Sequence, residues 1–140
     1  MSGARRTLQI ALRVRDGDAS LGFYEALGYE VVGRVPDAPI GSLTMLKLPD
    51  DDYVSLELVE VEEAGSPGDR LSHLAIQVVG LRDLADGLSA KGIEVGEVSS
   101  PDGSSELLTA TVSDPDGNRV ELVQWPAGHA AGLTADDWSP

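Results

Sequence analysis

Slid along itself by 64 residues, this sequence matches itself without a gap over two long segments. Ala11 falls on Ala75 and Val14 on Val78. Ala26, Gly28, Glu30 and Val31 fall on Ala90, Gly92, Glu94 and Val95. Leu43 falls on Leu107, and Asp50 and Asp52 fall on Asp114 and Asp116. Glu57, Leu58 and Val59 fall on Glu121, Leu122 and Val123. The identities cluster in strand-like runs, which marks a duplicated structural unit. Whatever one copy folds into, the other must fold into as well.

Each copy reads in the same order. An apolar strand comes first, 8–14 and 71–79. An amphipathic helix follows, 19–27 with Leu21, Tyr24 and Leu27 at helical spacing, and 81–91 with Leu81, Leu84, Ala85 and Leu88. Gly28 and Gly92 stand where a helix C-terminal cap belongs, because glycine enters the left-handed region without steric cost. Three strands then follow in each copy, 29–35, 43–48 and 53–61 in the first, and 93–98, 106–113 and 119–125 in the second. The segment Asp114-Pro115-Asp116-Gly117-Asn118 carries hairpin-turn chemistry. The expectation is an α+β domain of two tandem βαβββ modules, at about 7–61 and 71–125. A linker at 62–70 joins them, and an acidic tail occupies 126–140.

Side chains alternate across a strand, so the sequence also assigns faces. In the first strand Leu8, Ile10, Leu12 and Val14 are expected to pack on the helix, leaving Gln9, Ala11 and Arg13 on the other face. Its repeat partner leaves His73, Ala75 and Gln77 there. The last strands place Leu56 and Leu58, or Val120 and Leu122, under the helix, and Glu57 or Glu121 and Trp125 opposite. Gln9, Glu57, His73 and Glu121 thus share the face away from the helices. They also pair through the repeat, Gln9 with His73 and Glu57 with Glu121. One imidazole, two carboxylates and one amide are donors suited to zinc, nickel, cobalt, manganese or iron as divalent ions. Each of them taken alone reads more simply as a solvated polar residue on a strand.

Composition narrows the partners. The formal charge is −14, a field that repels nucleic-acid phosphates and anionic membranes. No apolar run approaches the roughly 20 residues of a membrane span. Cysteine is absent, which rules out disulfides and thiolate metal sites and fits a cytoplasmic location. Aromatic residues are 4% of the chain, so a ligand-binding aromatic wall could draw only on Tyr29, Tyr53, Trp125 and Trp138. His129 and Trp138 in the tail are read as a loose segment rather than a lid.

At these residues the chain resembles the vicinal oxygen chelate superfamily, the glyoxalase, bleomycin resistance protein and dioxygenase group. The opening run from Leu8 to Asp16, Ser20-Leu21-Gly22-Phe23-Tyr24, Leu27-Gly28-Tyr29, Leu56-Glu57-Leu58, His73 to Val78 and Asp114 to Leu122 carry the resemblance, which covers 7–125. It implies curved mixed sheets enclosing a cleft, with a divalent metal held by Gln9, Glu57, His73 and Glu121. A ligand order of Gln, Glu, His, Glu is similar to the lactoylglutathione lyase branch. That implies a lyase or isomerase in which the metal stabilises an enediolate during proton transfer, Glu121 acting as base and Glu57 as second acid/base. Arg13 and Trp125 would contact the substrate. Ser104 and Ser105 stand in the loop where that branch usually carries a lysine for its thiol cofactor, which counts against glutathione. The alternative within the resemblance is a metal-independent protein that binds an antibiotic or other natural product. The resemblance also implies a small-molecule partner and a homodimer, with the site formed within or between subunits.

Overall fold

Asp16 opens the first helix because its carboxylate accepts a hydrogen bond from the Ala19 amide at 3.1 Å, occupying one of the amides a helix start leaves without a partner. In the computed structural model, which describes residues 3, 8–62, 71 and 73–132, the chain divides into two units, Met1–Pro67 and Gly68–Pro140. The first unit runs β1 (Ile10–Val14), α1 (Gly17–Leu27), β2 (Glu30–Ala38), β3 (Gly41–Lys47) and β4 (Leu56–Glu60). Its sheet has the order β1-β4-β3-β2, with β1 parallel to β4 and the other neighbours antiparallel. The second unit runs β5 (Leu74–Gln77), α2 (Leu81–Ala90), β6 (Leu108–Ser113) and β7 (Arg119–Gln124), with the sheet order β5-β7-β6. The fold is α+β, two mixed sheets each carrying one helix. Most of the linker and the end of the tail, Trp138 included, lie outside the described residues.

The repeat is visible in the pairing itself. Ala11 is in register with Glu57 in the first sheet, and Ala75 with Glu121 in the second. Both helix ends also match: Gly28 has φ +113 and Gly92 φ +82, the left-handed conformation that glycine adopts without strain.

The ungapped match conceals one compensated shift. Val31 pairs with Leu46 and Val35 with Leu43 in the first unit. The equivalent contacts in the second are isolated bridges, Val95 to Val112 and Ser99 to Thr109. Val95 lies 64 residues after Val31, but Val112 lies 66 after Leu46. The loop before β6 is therefore two residues longer than its counterpart, and the turn after β6 two residues shorter. Leu107 is not the structural partner of Leu43; Thr109 is. Of the strand expected over 93–98 only an isolated bridge at Val95 is present, with a second at Ser99 just beyond it. Self-bonded turns replace ladder: the Asp102 carboxylate accepts from Ser100 Oγ and the Ser104 amide, and Ser104 Oγ accepts from the amides of Glu106 and Leu107.

Packing follows the expected faces with one correction. Leu12, Val14, Leu56 and Leu58 are buried together with Leu21, Tyr24 and Leu27 of α1, which crosses β4. Leu8 and Ile10, expected on the same face, stay 69% and 40% exposed. Leu8 precedes β1 and Ile10 opens it, so the apolar run begins before the part of the strand that is buried. Leu81 and Leu88 are the buried residues of α2, while Leu84 and Ala85 are half-buried.

Candidate functional site

Two hydrogen bonds fix which way the last strands point. Glu60 Oε2 accepts from the Gly17 amide at the start of α1. Gln124 Oε1 accepts from the Leu81 amide at the start of α2, at 2.8 Å. These are the same bond in the two copies, since Gly17 and Leu81, and Glu60 and Gln124, are both 64 residues apart. The even-numbered side chains of β4 and β7 therefore face the helices, and Glu57, Val59, Glu121, Val123 and Trp125 face away. Sequence reasoning missed Glu60 and Gln124; the signal was present as two side chains of equal length at one repeat position. The bond matters most in α2, whose N-cap Gly80 has no side-chain acceptor to offer.

On the face away from α1, Glu57 sits between Ala11 of β1 and Met45 of β3 in register. It is 8% exposed, the one buried carboxylate of β4. Gln9 Nε2 donates to Glu57 Oε2 at 2.8 Å. Gln9 lies opposite Ser55, whose carbonyl accepts from the Ile10 amide, so its side chain reaches diagonally to Glu57. With its amide nitrogen committed to the carboxylate, Gln9 presents a carbonyl oxygen as its free donor atom.

The second unit repeats the plan with different chemistry. Glu121 lies between Ala75 of β5 and Thr111 of β6 in register and is half-buried. His73 precedes β5, exposed, and shares the strand parity of Ala75. Each unit thus supplies one glutamate and one nitrogen- or oxygen-bearing partner on the same sheet face. Glu121 has small neighbours on both sides, Ala75 and Thr111, whereas Glu57 has Ala11 on one side and the larger Met45 on the other. Among the described residues, no three His, Cys, Asp or Glu side chains gather into a group that could hold a metal ion. The donor set of each pair fits a divalent cation, one anionic oxygen with one neutral donor.

Of the other expected site residues, Arg13 is exposed on β1, two residues beyond Ala11 on the same strand face. Trp125 is half-buried just after β7, and the His129 ring stacks on it, with centroids 4.4 Å apart and planes 8° from parallel. Residues 126–129 at the start of the tail therefore turn back onto Trp125 where a loose segment was expected, and 133–140 lie outside the described residues. Tyr29 is removed from the aromatic candidates. It packs edge-on against Tyr24 at 5.6 Å and is 6% exposed in the core. Burial, followed by the nearby Asp51 charge, raises its hydroxyl pKa to about 12. Tyr53 stands out on a turn, 62% exposed.

Residues 6–122 match the family model of the Glyoxalase/Bleomycin resistance protein/Dioxygenase superfamily. A lactoylglutathione lyase of Neisseria meningitidis serogroup A is 27% identical over 129 residues, covering 88% of this chain and 93% of that protein. Among solved structures, a glyoxalase family protein from Enterococcus faecalis superposes with a TM-score of 0.71 at 24% identity, over 86% of this chain and 98% of that one. TnmS3, an antibiotic binding protein from Streptomyces sp. CB03234, superposes with a TM-score of 0.70 at 24% identity, over 90% of this chain and all of that one. At such identity the two structures speak for the fold. No helix among the described residues is long and apolar enough to cross a membrane.

Proposed function

The chain belongs to the Glyoxalase/Bleomycin resistance protein/Dioxygenase superfamily, and from that premise we propose that it is a glyoxalase-like lyase or isomerase acting on a small α-carbonyl substrate. One observation carries this reading: a buried glutamate, Glu57, bonded to Gln9 on the sheet face away from the helix, with Glu121 at the same register in the second copy. A surface of merely solvated residues gives no reason to bury a carboxylate at the repeat position of another.

In this reading Gln9, Glu57, His73 and Glu121 hold a divalent metal ion, zinc, nickel, cobalt, manganese or iron. When bound, such an ion supplies Lewis-acid polarisation of two neighbouring substrate oxygens. The proton chemistry belongs to the chain. Glu121 takes the proton from the carbon beside the carbonyl, and the enediolate so formed is neutralised by proton return at the adjacent carbon. Glu57 is the second acid/base, held by the Gln9 amide, which donates to its carboxylate. Ala75 and Thr111, flanking Glu121 in register, are small enough for a substrate carbon to approach the carboxylate. Arg13 holds an anionic or carbonyl group of the substrate. Glutathione is not part of the reading, because 101–112 carries Asp102 and Glu106 and no lysine or arginine.

The reading includes a homodimer. It is supported by β2, an edge strand on which Val31, Val32 and Val35 stand exposed and which a second copy could cover. A second functional reading, capture of a small molecule without turnover, is favoured by Trp125 on the Glu121 face.

Metal content of untagged protein, measured by elemental analysis for wild type and His73→Ala, is the first test. The expected result is a near-stoichiometric transition metal lost in the variant, and turnover of hemithioacetals that falls at least a hundredfold in Glu121→Gln with an unchanged melting curve. Protein that takes up none of the five metals on reconstitution, or a fully active Glu121→Gln, overturns the lyase reading.

A further inference from the structure

One row of residues crosses the first sheet on the face away from α1. Ala11, Glu57, Met45 and Gly33 stand in register through β1, β4, β3 and β2. The second sheet carries Ala75, Glu121 and Thr111 in the same row, and the Gly96 amide donates to the Thr111 carbonyl at 2.9 Å. The rows differ in one chemical respect. A thioether flanks the first glutamate, where a hydroxyl flanks the second. Residues directly opposite on neighbouring strands have Cβ atoms about 4.5–5.5 Å apart, so Met45 and Glu57 are immediate neighbours.

Met45 is half-buried, and the position beyond it is open: a methyl group added at Gly33 would meet nothing within 4 Å. The chain has two methionines and no cysteine, and Met45 is the one sulfur placed in a strand. A thioether is a weak acceptor and sits beside a carboxylate at little cost. A sulfoxide does not, because its oxygen accepts strongly and an ionised Glu57 also only accepts. The neighbours offer that oxygen no donor. Leu43 and Val59 on the same face are buried and apolar. Lys47, two residues along β3, gives its ammonium to the carbonyls of Pro49 and Asp51 at 3.5 and 3.2 Å. The Gln9 amide is given to Glu57.

We infer that Met45 is a site of reversible oxidation by hydroperoxides, and that its sulfoxide acts on Glu57 and disables the site of the first unit. The sulfur lone pair attacks one peroxide oxygen. The S–O bond forms as the O–O bond breaks, and the departing oxygen takes the peroxide proton to leave as water or an alcohol. Sulfur loses two electrons and the peroxide gains them. Methionine sulfoxide reductases, driven by a dithiol, reverse the step. The oxidation and its effect on stability depend on neither metal nor turnover; the loss of turnover rests on the lyase reading.

The test treats full-length protein with hydrogen peroxide in chelator and follows oxygen uptake at Met45 by peptide mass. The proteins are wild type, Met45→Leu and Glu57→Gln. Met45 is expected to oxidise within about tenfold of the rate of N-acetylmethionine amide, as an accessible thioether does, and slower oxidation overturns the site. Oxidation should lower the urea midpoint of wild type, and both reductase types with dithiothreitol should restore it. Met45→Leu, which keeps Met1, should show no such drop. In Glu57→Gln the drop should shrink by about half or more, because the new amide can donate to the sulfoxide oxygen. No drop in wild type, or an equal drop in Glu57→Gln, overturns the action on Glu57. Hemithioacetal turnover by metal-loaded protein is read in parallel. A loss of about tenfold that reduction reverses and Met45→Leu lacks is expected, and unchanged turnover after oxidation overturns the disabling effect. No turnover even before oxidation removes the lyase reading, while the mass and urea results still decide the action of Met45 on Glu57.

Discussion

Replacing Gln9 with alanine removes the donor that Glu57 accepts at 2.8 Å. Glu57 is 8% exposed and Gln9 is exposed, so the two ends of the bond behave differently. A hydrogen bond to a charged group contributes about 1.5–3 kcal/mol, and an orphaned buried acceptor loses its full desolvation cost. Water can reach the Gln9 side of the pair, which places the expected loss near the lower end, about 1.5 kcal/mol. In Glu57→Leu the carboxylate that needs the donor is gone, and Gln9→Ala in that background should cost roughly 0.5 kcal/mol or less. The coupling is then about 1 kcal/mol, above the 0.3–0.5 kcal/mol scatter expected of independent sites. Urea unfolding of wild type, both single variants and the double variant, in chelator to remove any metal contribution, measures it directly. Strict additivity would refute the reasoning. It would mean that Glu57 is satisfied without Gln9 and that the bond is incidental to the buried carboxylate.

Gln124→Leu leaves the Leu81 amide without its acceptor, and Gly80 offers no side-chain cap, so a loss of about 1 kcal/mol is expected by thermal melting. Gly41→Ala should cost about 1–3 kcal/mol, since φ is +138 and the added methyl would lie 2.5 Å from the Glu60 carbonyl oxygen; a neutral result in urea unfolding would contradict the tight β2–β3 turn. The Tyr29 hydroxyl, raised to about 12, is protonated in the folded chain at pH values where an unfolded tyrosine, near 10, has ionised. The unfolded state therefore binds fewer protons between those values, and stability should hold below about pH 10 and fall as the pH rises towards about 12. In Tyr29→Phe that part of the alkaline loss should vanish, read as the difference between the two stability curves.

Much of the site was legible because a β-strand has a period of two and the repeat has a fixed spacing. Those two facts were enough to put Gln9 and Glu57 on one face, and the structure joins them by a hydrogen bond. The register that puts Ala11 beside Glu57 and Ala75 beside Glu121 came from the strand pairing. The helix ends were legible because Gly28 and Gly92 occupy conformations that other residues adopt only with strain. Alternation says which face a side chain takes and nothing about where along the strand burial begins. Leu8 and Ile10 were misjudged for that reason. A self-match without gaps also cannot reveal an insertion and a deletion that cancel, as they do on either side of β6.

The sequence by itself determined that there are two copies, that each is built from strands around one helix, and which side chains share a face. These follow from local periodicity, from backbone sterics and from repetition along the chain. Tertiary structure alone decided that Glu57 is buried while His73 is exposed, that Tyr29 belongs to the core and not to a ligand wall, and that Glu60 and Gln124 close the helix starts. It also decided that His129 lies on Trp125. Each of these is set by contacts between segments distant in sequence or outside any regular element, where no local period constrains what meets what.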